Sequence, residues 1–287
     1  MNTGAFKAVI IGIKRSIRNW RLWIGVYGFN IVFAAVLTLP VAAIFAKDVS
    51  RRLAGKDLMN GFNYKWYVDF INVNGGLFKS LLPQMVFVLA LYFFIESFFA
   101  GGFYSTFSSK GRIKFGEFLA KGSTHFFPLF AVTTMEVTLL FLAYIGINFE
   151  LSTRPFISDT WYLLFAAAPF IVINLFSDFV RAAVVIDNDN FWQKVTRGLS
   201  FTVLHPLSTT GVYLSGMLIV VAVIALYFLF DFVNDSTTST GVFIEVVVAQ
   251  IFILLRIFSK LIFYAGEATL YKENQIEVIK VKPEMLE

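Results

Sequence analysis

The chain contains no cysteine and only two histidines among its 287 residues. The missing cysteine excludes disulfides, thiolate metal ligands, iron–sulfur clusters and cysteine nucleophiles. Two histidines are too few for a histidine-rich metal site. Charged residues are also scarce, at 15% of the chain, against roughly 25% in an average soluble domain. We therefore expect no metal site, no resident cofactor and no thiol-based catalysis.

Apolar residues, in contrast, make up 57% of the chain, and the mean hydropathy is +0.72. A soluble domain could not bury this much apolar surface, whereas a bilayer takes up about 20 apolar residues in each spanning helix. The net charge of +5 suits flanks that meet anionic lipid headgroups. Because the basic residues lie beside apolar segments, we expect membrane lipids rather than nucleic acid as partners.

Six apolar stretches have the length and hydropathy of membrane-spanning helices. They cover residues 22–46, 81–107, 125–149, 161–186, 207–232 and 242–265. The first is longer than the roughly 7–15 residues of a signal-peptide core, so we expect it to remain as a span. Residues 1–270 are thus predicted to form one six-helix transmembrane domain, followed by a polar tail over 271–287. Apolar and charged side chains alternate over 276–281, which predicts one strand that pairs with a partner's sheet.

The distribution of Lys and Arg predicts that both termini face the cytoplasm. Basic residues gather before the first span and in the connections after the second and fourth spans. The connection over 47–80 is an exception, since it is rich in both basic and acidic residues although it is predicted to lie outside. Its aromatic and apolar side chains are Phe62, Tyr64, Trp66, Tyr67, Phe70 and Ile71. They indicate a segment that rests on the outer membrane surface or docks a partner subunit.

The same design recurs three times along the chain. A short amphipathic segment precedes the first, third and fifth spans, at residues 6–18, 115–122 and 191–199. Its apolar and basic positions alternate at helical spacing, as in helices that lie in the membrane interface. The repeating unit is therefore an interfacial helix, a span, an outside loop and a second span. The sequence predicts an all-α, pseudo-threefold bundle of about six transmembrane helices with three cytoplasmic interfacial helices.

Two stretches carry a resemblance to a known family. They read GGFYS followed by GRIKFGEF within residues 101–118, and RAAVVIDN followed by VTRGLSF within residues 181–201. They resemble the bacterial six-helix proteins grouped with YciC-like proteins and with the membrane domain of glycerophosphoryl diester phosphodiesterases. The resemblance implies a multi-pass protein of the bacterial inner membrane. It implies no hydrolase activity, because the soluble phosphodiesterase barrel with its acidic and histidine residues is not part of this sequence.

Six ionisable residues fall at a similar depth within the predicted spans. They are Glu96, Glu136, Asp178, Arg181, Arg256 and Lys260. Charged side chains are costly in hydrocarbon, so each is a functional hypothesis by default. Opposite charges at one depth can form ion pairs that fix helix registry, although such pairs add little net stability. The alternative is a polar path between the helices for an ion, a proton or a lipid headgroup.

No motif for an enzyme accompanies these charges. The sequence contains no phosphate-binding loop, zinc-protease motif or serine-nucleophile motif. His125 and His205 lie at matching repeat positions, where they are interface residues or, less simply, two ligands of one haem or pigment. We predict a non-enzymatic scaffold or accessory subunit of a membrane complex, whose partners are other subunits or a second copy. The alternative is a transporter or lipid-handling protein that uses the buried charges.

Overall fold

The structure is a computed structural model that describes residues 4–51, 64–109, 111–152, 159–233 and 239–281. The regular structure of these residues is helical, with no strand among them. The helices are α1 (Ala5–Arg18), α2 (Trp20–Arg51), α3 (Tyr64–Ser108), α4 (Phe115–Ser152), α5 (Asp159–Ile186), α6 (Phe191–Leu204), α7 (Pro206–Val233) and α8 (Ser239–Val281). The predicted all-α fold class is confirmed.

Six of these helices are long and apolar enough to cross a membrane. The spanning segments are Trp20–Lys47, Leu81–Ser108, Phe115–Phe149, Ala167–Ile186, Pro206–Phe230 and Thr240–Gln275. Each of them overlaps one predicted span. The shortest has 20 residues, which at about 1.5 Å per residue reaches about 30 Å, the thickness of the hydrocarbon core. Length and composition therefore make the chain a multi-pass membrane protein.

The helices divide between two compact units. The first contains the described residues of Met1–Arg21, Glu96–Val221 and Phe258–Glu287, and the second contains those of Leu22–Ile95 and Ala222–Ile257. Most of the fully buried side chains, such as Tyr104 and Leu261, belong to the first unit. In the second unit the Tyr27 hydroxyl of α2 lies 2.6 Å from Oε1 of Gln250 on α8. The first unit thus holds the more extensive core.

Glycine allows two of the amphipathic segments to pack closely against spans of the first unit. A Cβ atom on Gly122 would lie 2.7 Å from the carbonyl oxygen of Phe98, and one on Gly198 would lie 2.6 Å from Cα of Val180. Real Cβ contacts are essentially never that short, so only glycine fits against the neighbouring backbone. Each segment therefore packs on the span that ends the preceding repeat.

The amphipathic helix of the first repeat completes this arrangement. A Cβ atom on Gly12 of α1 would lie 2.9 Å from the carbonyl oxygen of Ile262 on α8, the span that ends the third repeat. Phe98, Val180 and Ile262 are evenly spaced along the sequence, and each lies two residues after a charged residue. The three repeats of the first unit thus make equivalent contacts in cyclic order. This packing is the structural form of the predicted pseudo-threefold repeat.

The three amphipathic segments differ in how they join their spans. Helix α1 is separated from α2 by a turn at Asn19, and α6 is separated from α7 at His205. Pro206 begins α7, where its missing N–H leaves no helical hydrogen bond unmade. The second segment is instead the first part of α4, which runs unbroken from Phe115. Pro128 lies inside this helix, as membrane helices tolerate when neighbouring groups satisfy the freed carbonyl.

One local expectation needs correction. The strand predicted over 276–281 is wrong, because α8 continues as a helix to Val281. Extending an existing helix adds one hydrogen bond per residue, whereas a lone strand has no pairing partner among the described helices. The later part of the 47–80 connection is also helical, since α3 begins at Tyr64. Phe70 of this part is buried, with its ring 5.9 Å from that of Phe45, while Phe62 and residues 282–287 of the predicted tail lie outside the described residues.

Candidate functional site

The first unit brings together five of the six predicted charged residues. They are Glu96 on α3, Glu136 on α4, Asp178 and Arg181 on α5, and Lys260 on α8. We call these five residues and Glu267 of α8 the polar cluster. Arg256 belongs to the second unit, and its side chain is exposed.

Arg181 links two carboxylates inside the polar cluster. Its Nη1 donates a hydrogen bond to Oδ1 of Asp178 at 3.1 Å, and its Nη2 pairs with Oε2 of Glu136. The first contact is local, since residues three apart share one face of a helix, and the second joins α5 to α4. The Glu136 side chain is only 7% exposed. Removing one member of such a buried group leaves an uncompensated charge, at a cost of roughly 3–5 kcal/mol.

Glu96 and Lys260 form the second ion pair, which joins α3 to α8. Their side chains are 37% and 43% exposed. Both residues lie well inside the spanning segments of their helices. The pair therefore reaches the surface of the protein at a depth where the surrounding helix surface is apolar, in contrast to the enclosed group around Arg181.

Glu267 is the member of the polar cluster that the sequence analysis does not identify. It is 2% exposed, and its Oε2 accepts a hydrogen bond of 2.6 Å from the Tyr104 hydroxyl. Its carboxyl group also lies within hydrogen-bonding reach of the Asp178 side chain. The predicted sixth span ends at residue 265 and leaves Glu267 outside it. One sequence feature could have identified Glu267. It lies two helical turns after Lys260 and therefore on the same face of α8.

The composition of the polar cluster is acidic. Four carboxyl groups face two cationic groups, those of Arg181 and Lys260. Oε1 of Glu267 and Nε of Arg181 are buried without a hydrogen-bond partner among the described residues. The ion pairs therefore leave at least one carboxyl oxygen of the cluster without a hydrogen-bond partner among these residues.

Equivalent serines accompany the charges. Ser97, Ser177 and Ser259 each stand beside a charged residue in the sequence, and all three are buried. Small side chains at these positions let neighbouring helices approach closely in a membrane protein. The Ser-and-charge pattern therefore marks the buried face of each outgoing span.

Cationic side chains cap the end of α3 near the polar cluster. Nη1 of Arg15 donates to the carbonyl oxygen of Phe107 and, at 2.9 Å, to Oγ1 of Thr269, while Nζ of Lys272 lies 2.6 Å from the carbonyl oxygen of Ser108. The last carbonyls of a helix have no partner within it, and cations suit this negative end of the helix dipole.

Arg15 performs this role while partly buried in the first unit. Burial lowers the pKa of its guanidinium, Glu273 acts in the opposite direction, and Arg18 lowers the pKa further. An arginine nevertheless keeps its charge in proteins. Arg15 therefore fixes α1 to the ends of α3 and α8 and is a structural residue.

Asp187 ties the end of α5 to α8 in a similar way. Its carboxylate is buried and accepts hydrogen bonds from the Tyr271 hydroxyl at 2.8 Å and from Nε2 of Gln275 at 2.6 Å. Arg197 of α6 lies 3.8 Å from the same carboxylate and pairs with Asp189. This group of contacts positions α6 against the two spans that carry Asp178 and Glu267.

The two histidines occupy packing positions. His205 follows α6, where its backbone N–H donates to the carbonyl oxygen of Phe201 and its ring lies 4.9 Å from the Phe201 ring. His125 is half-buried on α4, and a Cβ on Gly101 would lie 3.2 Å from its own Cβ. Within the described ranges no group of three or more His, Asp and Glu side chains could hold a metal ion.

No family model, curated protein or solved structure matches this chain. The resemblance to YciC-like proteins stays a prediction.

Proposed function

We propose that this chain is a non-enzymatic accessory subunit of a membrane complex, and that it docks another membrane protein at the Glu96–Lys260 pair. The observation that carries the proposal is the exposure of this pair, 37% and 43%, inside two apolar spans. The group around Arg181, in contrast, is enclosed by the protein's own helices.

The cost of exposing charge to lipid supports a covering partner. A charged side chain at the centre of a spanning helix costs about 2.5–3.5 kcal/mol on insertion scales. Pairing Glu96 with Lys260 reduces this cost, but more than a third of each side chain still faces outward. A span with a polar or ionisable side chain at the same depth would cover this surface, since hydrogen bonds between membrane helices contribute about 0.6–2 kcal/mol. The partner's chemistry is therefore a membrane helix with at least one such side chain.

The two short amphipathic helices give the proposal an orientation. Phe6 of α1 and Trp192 of α6 are exposed beside basic residues of the same helices. Helices of this kind lie in the headgroup region, with the apolar side turned toward the acyl chains. We place α1 and α6 on the cytoplasmic face of a bacterial inner membrane, with both termini on that side. Because the chain has no cysteine, single introduced cysteines can be labelled from either side to test this orientation.

Native gel electrophoresis of the protein extracted in mild detergent tests the docking proposal. The wild type is expected to migrate as a complex larger than one chain, and the double variant Glu96→Gln/Lys260→Met as the single chain. Lys7→Met makes the same cation-to-methionine change on the exposed face of α1 and should leave the complex intact.

Two results would remove the proposal. One is a wild type that migrates as a lone monomer in detergent and in native nanodiscs. The other is a complex that persists when the Glu96–Lys260 pair is neutralised. A complex with the mass of two identical chains would identify a second copy as the occupant.

The second candidate function is transport or lipid handling, and the acidic composition of the polar cluster favours it. A surplus of carboxyl groups inside spans is typical of proton and cation pathways. Glu136→Gln should abolish flux or lipid translocation in proteoliposomes if this candidate is right, while Glu117→Gln, on an exposed side chain of α4, should not. Unchanged flux in Glu136→Gln would remove the candidate.

A further inference from the structure

The carboxyl group of Glu267 has one oxygen that the hydrogen bonds of the first unit leave unused. Oε2 accepts from the Tyr104 hydroxyl at 2.6 Å, whereas Oε1 is buried and no donor among the described residues reaches it. The residue as a whole is 2% exposed. A buried ionised carboxylate normally accepts several hydrogen bonds, because its desolvation is otherwise uncompensated.

The group that faces Glu267 is another carboxyl group. The side chains of Asp178 and Glu267 are within hydrogen-bonding reach of each other, and the Tyr104 hydroxyl lies 3.1 Å from the Asp178 carbonyl oxygen. Two ionised carboxylates are acceptors only and repel each other, so a hydrogen bond between them requires a proton.

The cations of the polar cluster pair with carboxylates other than that of Glu267. Arg181 hydrogen-bonds to Oδ1 of Asp178 and to Glu136. Lys260 pairs with Glu96. Among the described residues, the other titratable groups around the Asp178–Glu267 pair are the tyrosines Tyr104, Tyr213 and Tyr264, which carry no positive charge. None of these neighbours supplies the missing donor to Oε1 of Glu267.

We propose that Asp178 and Glu267 hold one proton between them, so that the pair is a proton-binding site inside the membrane domain. Glu267 carries the proton on Oε1 and donates it to the Asp178 carboxylate, while Arg181 stabilises the charge that remains on Asp178. The bound proton gives every polar atom of the pair a partner and reduces the surplus negative charge of the polar cluster. The site joins α3, α5 and α8 through Tyr104, Asp178 and Glu267, so its occupancy affects the contact between these three helices.

Infrared spectroscopy of the purified protein in lipid tests this site directly. A protonated carboxyl group has a C=O stretching band that a carboxylate lacks, and the band shifts when the sample is exchanged into D₂O. The wild type near neutral pH should show such a band from a buried group. Glu267→Gln and Asp178→Asn should each lose the intensity of one carboxylic acid, because the new amide donates to the remaining carboxylate. The exposed Glu117→Gln is the matched control and should keep the band.

The amide variants are expected to fold like the wild type, so a lost infrared band reports the missing proton. The amide group that Glu267→Gln introduces reproduces the donor and the acceptor of a protonated Glu267, so the variant should fold and unfold at the wild-type temperature or above. A wild type without the band, or a band that persists in either amide variant, would overturn the proposal. The spectrum reports protonation and the native gel reports docking, so the two proposals fail independently.

Discussion

Replacing Gly198 by alanine tests the packing on which the first unit depends. The added Cβ would lie 2.6 Å from Cα of Val180 and 2.9 Å from the carbonyl oxygen of Phe179. Both are backbone atoms of α5, which cannot rotate away as a side chain could. Restoring an ordinary carbon contact of about 3.5–4.0 Å requires α6 to move by about 1 Å. Forced shifts of this kind cost typically 1–3 kcal/mol.

A second glycine separates the cost of the forced helix shift from the change in helix propensity that alanine brings. Gly146 of α4 has no atom within 4 Å of an added Cβ, so Gly146→Ala changes only helix propensity, by at most about 1 kcal/mol in favour of alanine. The free energy of unfolding, measured by denaturant titration in detergent micelles, should be lower in Gly198→Ala than in Gly146→Ala by about 1–3 kcal/mol. Equal values in the two variants would refute the close contact between α6 and α5.

Three further variants test other contacts by the same unfolding measurement. Arg181→Met should destabilise the protein by roughly 3–5 kcal/mol, because it leaves two carboxylates without their cation, and a loss below about 1 kcal/mol would contradict the buried ion group. Tyr104→Phe removes the hydrogen-bond donor to the buried carboxyl group of Glu267 and should cost about 1–3 kcal/mol. Tyr144→Phe, on an exposed side chain, should be neutral. Arg15→Met removes the hydrogen bond to the last carbonyls of α3 and should cost about 1–3 kcal/mol. Lys7→Met, the control on the same helix, should leave the stability unchanged. Equal stabilities of these two variants would contradict the capping role of Arg15.

Apolar length and density predict the spans well, because a bilayer imposes one requirement on every helix that crosses it. The second span, predicted over 81–107, is Leu81–Ser108 in the structure. Local pattern is sufficient for these features, since each depends on a single helix and its solvent.

Features that depend on two helices are harder to predict from the sequence. Depth in the membrane alone groups Arg256 with Lys260. Arg256 nevertheless has an exposed side chain in the second unit, because tertiary packing sets the face that each residue occupies. Glu267 escapes the sequence analysis because it lies beyond the apolar run of α8, although the helix and its buried face continue past that run. The alternation of apolar and charged side chains over 276–281 suggests a strand. This local pattern carries no information about the preceding helix, which continues through these residues.

The docking proposal depends on the pairing of Glu96 on α3 with Lys260 on α8. Exchanging the two charges tests it most directly. Glu96→Lys and Lys260→Glu should each lower the free energy of unfolding, and the double variant Glu96→Lys/Lys260→Glu should recover most of the loss, with a coupling of about 0.5–3 kcal/mol. A double variant as unstable as the sum of the two single variants would contradict the pairing.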